Sequence, residues 1–240
     1  MSDRPIPQTS TVPPSTAPRG HLIVFEGGDG SGKTTQAKRL ANDLASAGMD
    51  VVHTRDPGGS PNAMAIRGLL VDAGAPDWSP MGELLLFTAA RVELLEETIK
   101  PALAAGKIVV CDRFVDSTLG YQGAGKGNNT EIIRRLHRLA CENLVPDLTV
   151  LMDGPAEVLL ARATGRLASD GSIEGRFEQE GLGFQERVVR RLRDLARMEP
   201  ARYAVIDATL DPDSAARQVA DAVANRLGLS ATATLESETA

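Results

Sequence analysis

Short apolar runs alternate along this chain with longer stretches in which apolar residues recur every three or four positions. Residues 21–26 (HLIVFE), 50–54 (DVVHT), 107–111 (KIVVC), 148–152 (LTVLM) and 203–206 (YAVI) are too short for helices. Their Val, Ile and Leu content predicts five buried strands. Helical spacing predicts helices over 33–47, 61–73, 80–105, 130–142, 156–164, 177–198 and 212–227. In the first of these, Ala37, Leu40, Ala41 and Leu44 form the apolar stripe and Gly48 supplies the stop. Strands separated by helices predict an α/β fold of three layers, a five-stranded parallel sheet with helices on both faces. Such sheets bind ligands at the C-terminal ends of their strands, where Glu26, Arg55, Asp112 and Asp153 fall. No repeat of 20 to 50 residues is visible, which excludes a solenoid.

Between the first strand and the first helix lies Gly27-Gly28-Asp29-Gly30-Ser31-Gly32-Lys33-Thr34, which fits G-x-x-x-x-G-K-[ST]. The loop's backbone N–H groups converge on an anion, and the helix dipole favours negative charge there. Glycines let the backbone turn tightly and approach phosphates without an intervening Cβ. Lys33 then reaches the outer phosphates and the Thr34 hydroxyl can hold Mg²⁺. The pattern points to a bound nucleoside triphosphate.

Composition narrows the field. A chain of 240 residues forms one large domain, or two small ones, with a sizeable core. Its formal charge of −6 and an aromatic content of 3% argue against a broad nucleic-acid surface or a base-stacking platform. Cys111 and Cys141 form no metal-ligand pattern, and Cys111 sits in an apolar run as a buried thiol, which fits a reducing cytoplasm. No apolar run nears the roughly 20 residues needed to cross a bilayer. Residues 1–20, rich in Pro, Ser and Thr without an apolar core, read as a disordered leader, and 229–240 as a loose tail. That leaves 21–228 as the domain.

The phosphate loop alone does not separate a GTPase, a motor ATPase and a small-molecule kinase. The chain has neither N-K-x-D nor T-K-x-D, the guanine-reading signatures. It has arginines where a nucleotide monophosphate kinase needs positive charge: Arg55 after the second strand and Arg113 after the third. Phe87 and Arg91, at i and i+4, share one helix face and suit a planar base, a ring to stack and a guanidinium to bond a carbonyl. Core packing for Phe87 and a solvated charge for Arg91 is the alternative.

The ordered series GGDGSGKTT, TRDPGG, LLLFTAARVELLEETIKPAL, DRFVDSTLGYQG and GRFEQE resembles the thymidylate kinase family over nearly all of 20–227. The resemblance implies a P-loop NTPase fold with a helical lid at about 163–176, and transfer of phosphate from ATP, with Mg²⁺, to dTMP. It implies that Phe87 stacks on thymine, Arg91 bonds its O4, and Thr118 lies by the N3 edge. Tyr121, beside Gln122 in the acceptor site, would pack against C2′ of the sugar. Arg55 and Arg113 would hold the acceptor phosphate. Asp29 would accept from the 3′-hydroxyl and, with Thr34 and Asp112, organise the metal-bound phosphates, or else be a loop residue that tolerates a left-handed backbone. Ser117 either contacts the acceptor or caps the following turn.

Family members of one type carry an arginine inside the phosphate loop; here that position is Gly30. The resemblance therefore implies the lid-arginine, bacterial type, with Arg162 and Arg166 supplying transition-state charge and Arg176 close by. A homodimer is likewise implied. The cluster Arg187, Arg190, Arg191 and Arg193, among Glu186 and Asp194, reads as a charged outer face. Two departures from the family pattern stand out: Asp56 where Glu is usual, and Gly175-Arg176 where Asp-Arg is usual.

Overall fold

A computed structural model describes residues 19–72, 74–170 and 176–230, the side chains of 166–170 and 178 excepted. Most of the expected leader and tail, and residues 171–175 of the expected lid, lie outside the described residues. Five strands appear where the apolar runs predict them: β1 (Leu22–Glu26), β2 (Val51–Arg55), β3 (Ile108–Asp112), β4 (Leu148–Asp153) and β5 (Tyr203–Asp207). All pair in parallel in the order β2-β3-β1-β4-β5, so β1 is central and the winding reverses there. That reversal opens a crevice at the C-terminal end of β1, where the glycine loop begins.

Alternation along the strands divides the core between two faces. Ile23, Phe25, Val110 and Val150 pack toward α1 (Lys33–Ser46) and α9 (Pro212–Leu227). Leu22, Val24, Val109 and Cys111 pack toward α3 (Pro80–Leu94) and α4 (Lys100–Ala104). A third cluster joins Leu151 and Tyr203 to α8 (Leu182–Met198). Residues 22 to 25 of β1 are each 0% exposed, at roughly 1.5–3 kcal/mol per fully buried large side chain, so the strand that carries the loop is firmly anchored.

The remaining helices are α2 (Pro61–Val71), α5 (Val115–Thr118), α6 (Thr130–Ala140) and α7 (Ala156–Asp170). The stretch expected as one helix over 80–105 is α3 and α4 joined by a wider π-turn at Leu95–Ile99. Pro101 explains it: the ring lacks an N–H and collides with the carbonyl four residues back, and widening the turn relieves both. Sequence periodicity missed α5 and the π-turn Leu119–Gly125 that continues it. It also ended α7 too early: Gly165 is tolerated and the helix continues to Asp170. The expected helix 177–198 is a 3₁₀ turn at Glu178–Glu180 followed by α8.

Candidate active site

The glycine loop leaves β1 with Gly27 at φ 152 and turns through Gly30 and Gly32, both at φ 80, conformations that a Cβ would strain. Gly30 also has no room: a Cβ there would lie 2.1 Å from Leu159 O and 2.8 Å from Ala163 N, so the backbone of α7 rests directly on the loop. Lys33, first residue of α1, folds back with Nζ 3.3 Å from Gly28 O and 3.7 Å from Asp29 Oδ1. Burial lowers its pKa, helped by Arg113 and opposed by Asp29. Thr34 Oγ1 donates to Asp112 Oδ2 at 2.5 Å.

Ser31 Oγ and Asp112 Oδ1 are buried with no hydrogen-bond partner among the described residues. Hard oxygen donors of this kind suit Mg²⁺, which binds through one or two protein oxygens and takes the rest of its shell from phosphates and water. Among the described residues no group of three or more His, Cys, Asp or Glu could hold a metal ion.

Arg113 is the hub of the opposite wall. Its backbone adopts φ 70, uncommon outside glycine, and turns the side chain back across the loop. Nη2 donates to Asp29 Oδ1 (2.5 Å) and Tyr121 OH (3.1 Å), and Nη1 to Ser117 Oγ (2.9 Å) and Gly27 O (3.2 Å). Tyr121 OH in turn donates to Asp29 Oδ2 at 2.9 Å. Burial disfavours the charge on Arg113, yet Tyr121, Asp29 and Asp112 outweigh it and hold the pKa above the ordinary arginine value.

Glu26, the last residue of β1, is fully buried and underlies this wall. Its Oε1 accepts from the backbone N–H of Phe114 (2.9 Å) and Ser117 (3.0 Å), and its Oε2 from Ser117 Oγ (2.6 Å). Burial, reinforced by Asp116, pushes its pKa up to about 7. The sequence marks Glu26 only as an acid at a strand end, because its partners lie 88 and 91 residues away. Ser117, left open between substrate contact and cap, bridges Glu26 and Arg113.

Phe87 and Arg91 are both buried. Arg91 Nε donates to Asp56 Oδ2 at 2.5 Å and Nη2 to Thr118 Oγ1 at 2.7 Å, while Nη1 bonds no described residue. The shorter Asp56 therefore meets its arginine directly. Burial raises the Asp56 carboxyl's pKa, and the Arg91 guanidinium pulls against that rise. Phe87 borders an aromatic cluster that the sequence did not reveal: Phe177 lies 6.1 Å from Phe87 and 5.4 Å from Tyr121 between ring centroids. Gln122 turns away to donate to the buried Glu83 at 3.0 Å. Arg176 joins the same carboxylate, Nη2 to Oε2 at 3.0 Å.

Arg55 is exposed and has no carboxylate partner among the described residues. Arg67 of α2, which no sequence motif singles out, donates to Pro57 O at 2.6 Å and lies close enough to Asp56 to stabilise its charge. Arg162 reaches Ala208 O at 2.6 Å, on the loop after β5. Arg166 sits one turn later on α7, and its side chain lies outside the described residues. Two of the arginines expected on an outer face do more: Arg193 Nε bonds both oxygens of Asp153 at 2.8 and 2.9 Å, and Arg187 bonds Ala124 O and Gly125 O.

The thymidylate kinase family profile matches residues 25–219. The chain belongs to the thymidylate kinase family. It is 48% identical to the thymidylate kinase of Caulobacter vibrioides over 211 residues, 88% of this chain and 99% of the relative. It is 50% identical to that of Geobacter sulfurreducens over 209 residues, 87% and 98% of the two chains. The crystal structure of thymidylate kinase from Ehrlichia chaffeensis superposes with a TM-score of 0.69 at 33% identity, covering 86% of this chain and all of the other. Arg113 joins the phosphate loop through Asp29, and Arg91 joins Thr118 on the helix that follows Arg113.

Proposed function

We propose that this chain transfers the γ-phosphoryl group of ATP to the phosphate of dTMP, giving ADP and dTDP. The observation that carries the reading is the guanidinium of Arg113, clamped 2.5 Å from the loop oxygen Asp29 Oδ1 that also lies 3.7 Å from Lys33 Nζ. A phosphate dianion is already nucleophilic, so the acceptor needs no covalent intermediate and no strong base on the protein. What the residues supply is alignment and positive charge. Thr34, with Asp112 and Asp29, would hold Mg²⁺, which would supply charge neutralisation to the donor phosphates.

Lys33 and the loop amides hold the donor phosphates; Arg113 and Arg55 hold the acceptor phosphate. Phe87 stacks on thymine, Arg91 Nη1 donates to its O4, and Thr118 orients that guanidinium at the N3 edge. Tyr121 fills the space a ribose 2′-hydroxyl would need, and Gln122 shapes the pocket through Glu83. Arg162 and Arg166 of α7 add charge from the lid side. Two buried free cysteines fit a reducing cytoplasm. A homodimer forms through the exposed Met81 and Leu85 of α3 and Ile132 of α6, which packs on α3.

The test is ADP formation from Mg-ATP with dTMP, dUMP, dCMP, dGMP, dAMP and UMP. Turnover confined mainly to dTMP, with weaker dUMP, is expected. Fast turnover on another acceptor would move the base assignment. ATP binding with no acceptor-dependent ADP would overturn the reading. Arg113→Ala should abolish transfer while ATP binding persists, and Tyr121→Ala should narrow the preference for 2′-deoxy acceptors.

A further inference from the structure

Arg113 is held in a left-handed backbone conformation at the start of a turn, Arg113 to Ser117, that contains no glycine. Something must hold that turn. Its own chain contributes one short bond, Ser117 N to Phe114 O at 3.1 Å. Beyond the turn, Arg113 N donates to Phe25 O at 2.9 Å, and two further amides, Phe114 N and Ser117 N, both reach the same carboxylate oxygen, Glu26 Oε1. The second oxygen takes the Ser117 hydroxyl, and that hydroxyl accepts from Arg113 Nη1. A three-part relay therefore runs from the central strand to the guanidinium: carboxylate, hydroxyl, arginine.

We propose that Glu26 is the positioning residue of the acceptor site, its buried carboxylate fixing the turn and, through Ser117, the direction in which Arg113 presents its guanidinium. Glu26 stands between the two halves of the reaction. It is covalently next to the loop that holds the donor and hydrogen-bonded to the turn that holds the acceptor. Glu26 thereby sets the acceptor side of the spacing between the two phosphates, while Asp29 ties the same guanidinium to the loop. Asp116, the neighbouring acid on the turn, does not compete for this role. Its Oδ2 is taken by Arg202 Nη1 at 2.9 Å and Tyr203 OH at 2.6 Å on the far side of the turn.

A side chain that merely stabilised the fold would affect every ligand alike, whereas one that aims Arg113 affects only ligands bearing an acceptor phosphate. The inference rests on Arg113 handling that phosphate, so Arg113→Ala is measured alongside. Dissociation constants for dTMP and for thymidine, which lacks the phosphate, are determined by calorimetry, together with kcat and ATP affinity. In Glu26→Ala the preference for dTMP over thymidine should fall roughly tenfold or more, the scale of a lost charge-assisted hydrogen bond, with thymidine affinity within about twofold of the parent. Glu26→Gln keeps an acceptor for both amides and should fall between the parent and Glu26→Ala. Ser117→Ala cuts the relay while keeping the Glu26 carboxylate and both of its amide bonds, and should reproduce the phosphate-selective loss if Glu26→Ala does not fold. Equal weakening of dTMP and thymidine, or no change in either, overturns the role of Glu26. If Arg113→Ala itself spares the dTMP preference, the acceptor-phosphate assignment fails first and independently.

Discussion

His137 on α6 sets its ring edge-on to Phe114, with centroids 5.6 Å apart, and places Nε2 3.0 Å from Leu144 O. Burial, then the nearby Arg91, pushes its pKa down to about 4. The unfolded chain takes up a proton near 6.5, so between pH 6.5 and 4 the unfolded state binds more protons than the native one. The stabilisation is whole above pH 6.5 and is lost as pH falls through 4, by about 3 kcal/mol at 1.4 kcal/mol per pKa unit. Glu26 runs the other way: its contribution is whole below 4.5 and is lost as pH rises through about 7. Urea unfolding of the parent and of His137→Gln at pH 7 and pH 4.5 separates the two. The parent should lose the larger share of its stability on acidification, and equal losses would clear His137. At this scale the sequence revealed what a contiguous motif encodes. Lys33 and Thr34 follow from their spacing to the glycines, while Glu26 and Phe177 gain meaning only from partners distant along the chain.

Among the elements, the contact between α7 and the phosphate loop has the sharpest consequence. Gly30 and Gly32 share the same φ of 80, but a Cβ at Gly32 would meet nothing within 4 Å, whereas at Gly30 it would strike the α7 backbone. Gly32→Ala should therefore cost only the left-handed conformation, about 1–2 kcal/mol. Gly30→Ala should cost that plus displacement of α7, a total of roughly 2–4 kcal/mol. The difference in unfolding free energy between the two variants, taken without nucleotide, measures the seat of α7; equal values would show that the helix moves aside freely. The strands were legible because each is a short, β-branched run that ends at a polar residue. The segment Val115–Gly125 was not, because VDSTLGYQGAG has three glycines and a polar start, which read as a loop. Its helical turns are held by tertiary bonds, to Glu26 at one end and from Gln122 to Glu83 at the other. No local propensity signals either.

The whole molecule presents an apolar stripe that its own core does not use. Met81 and Leu85 of α3 are 40% and 49% exposed, one helical turn apart, and Ile132 on the adjoining α6 is 40% exposed. The proposed homodimer buries them, so sedimentation equilibrium should give twice the 25.4 kDa chain mass, and Leu85→Glu should shift the protein to monomer. A parent that sediments as monomer would remove the dimer. The strand order carries a different consequence. Arg55 and Arg113 follow β2 and β3 on one flank of β1, while α7 with Arg162 follows β4 on the other. On the proposed assignment of donor and acceptor sites, the two nucleotides enter from opposite flanks of one strand, and neither blocks the other's door. The phosphoryl group has no reason to pause on the protein between them. Double-reciprocal plots for one nucleotide at fixed levels of the other should intersect, and labelled ADP should not exchange into ATP until dTDP is present.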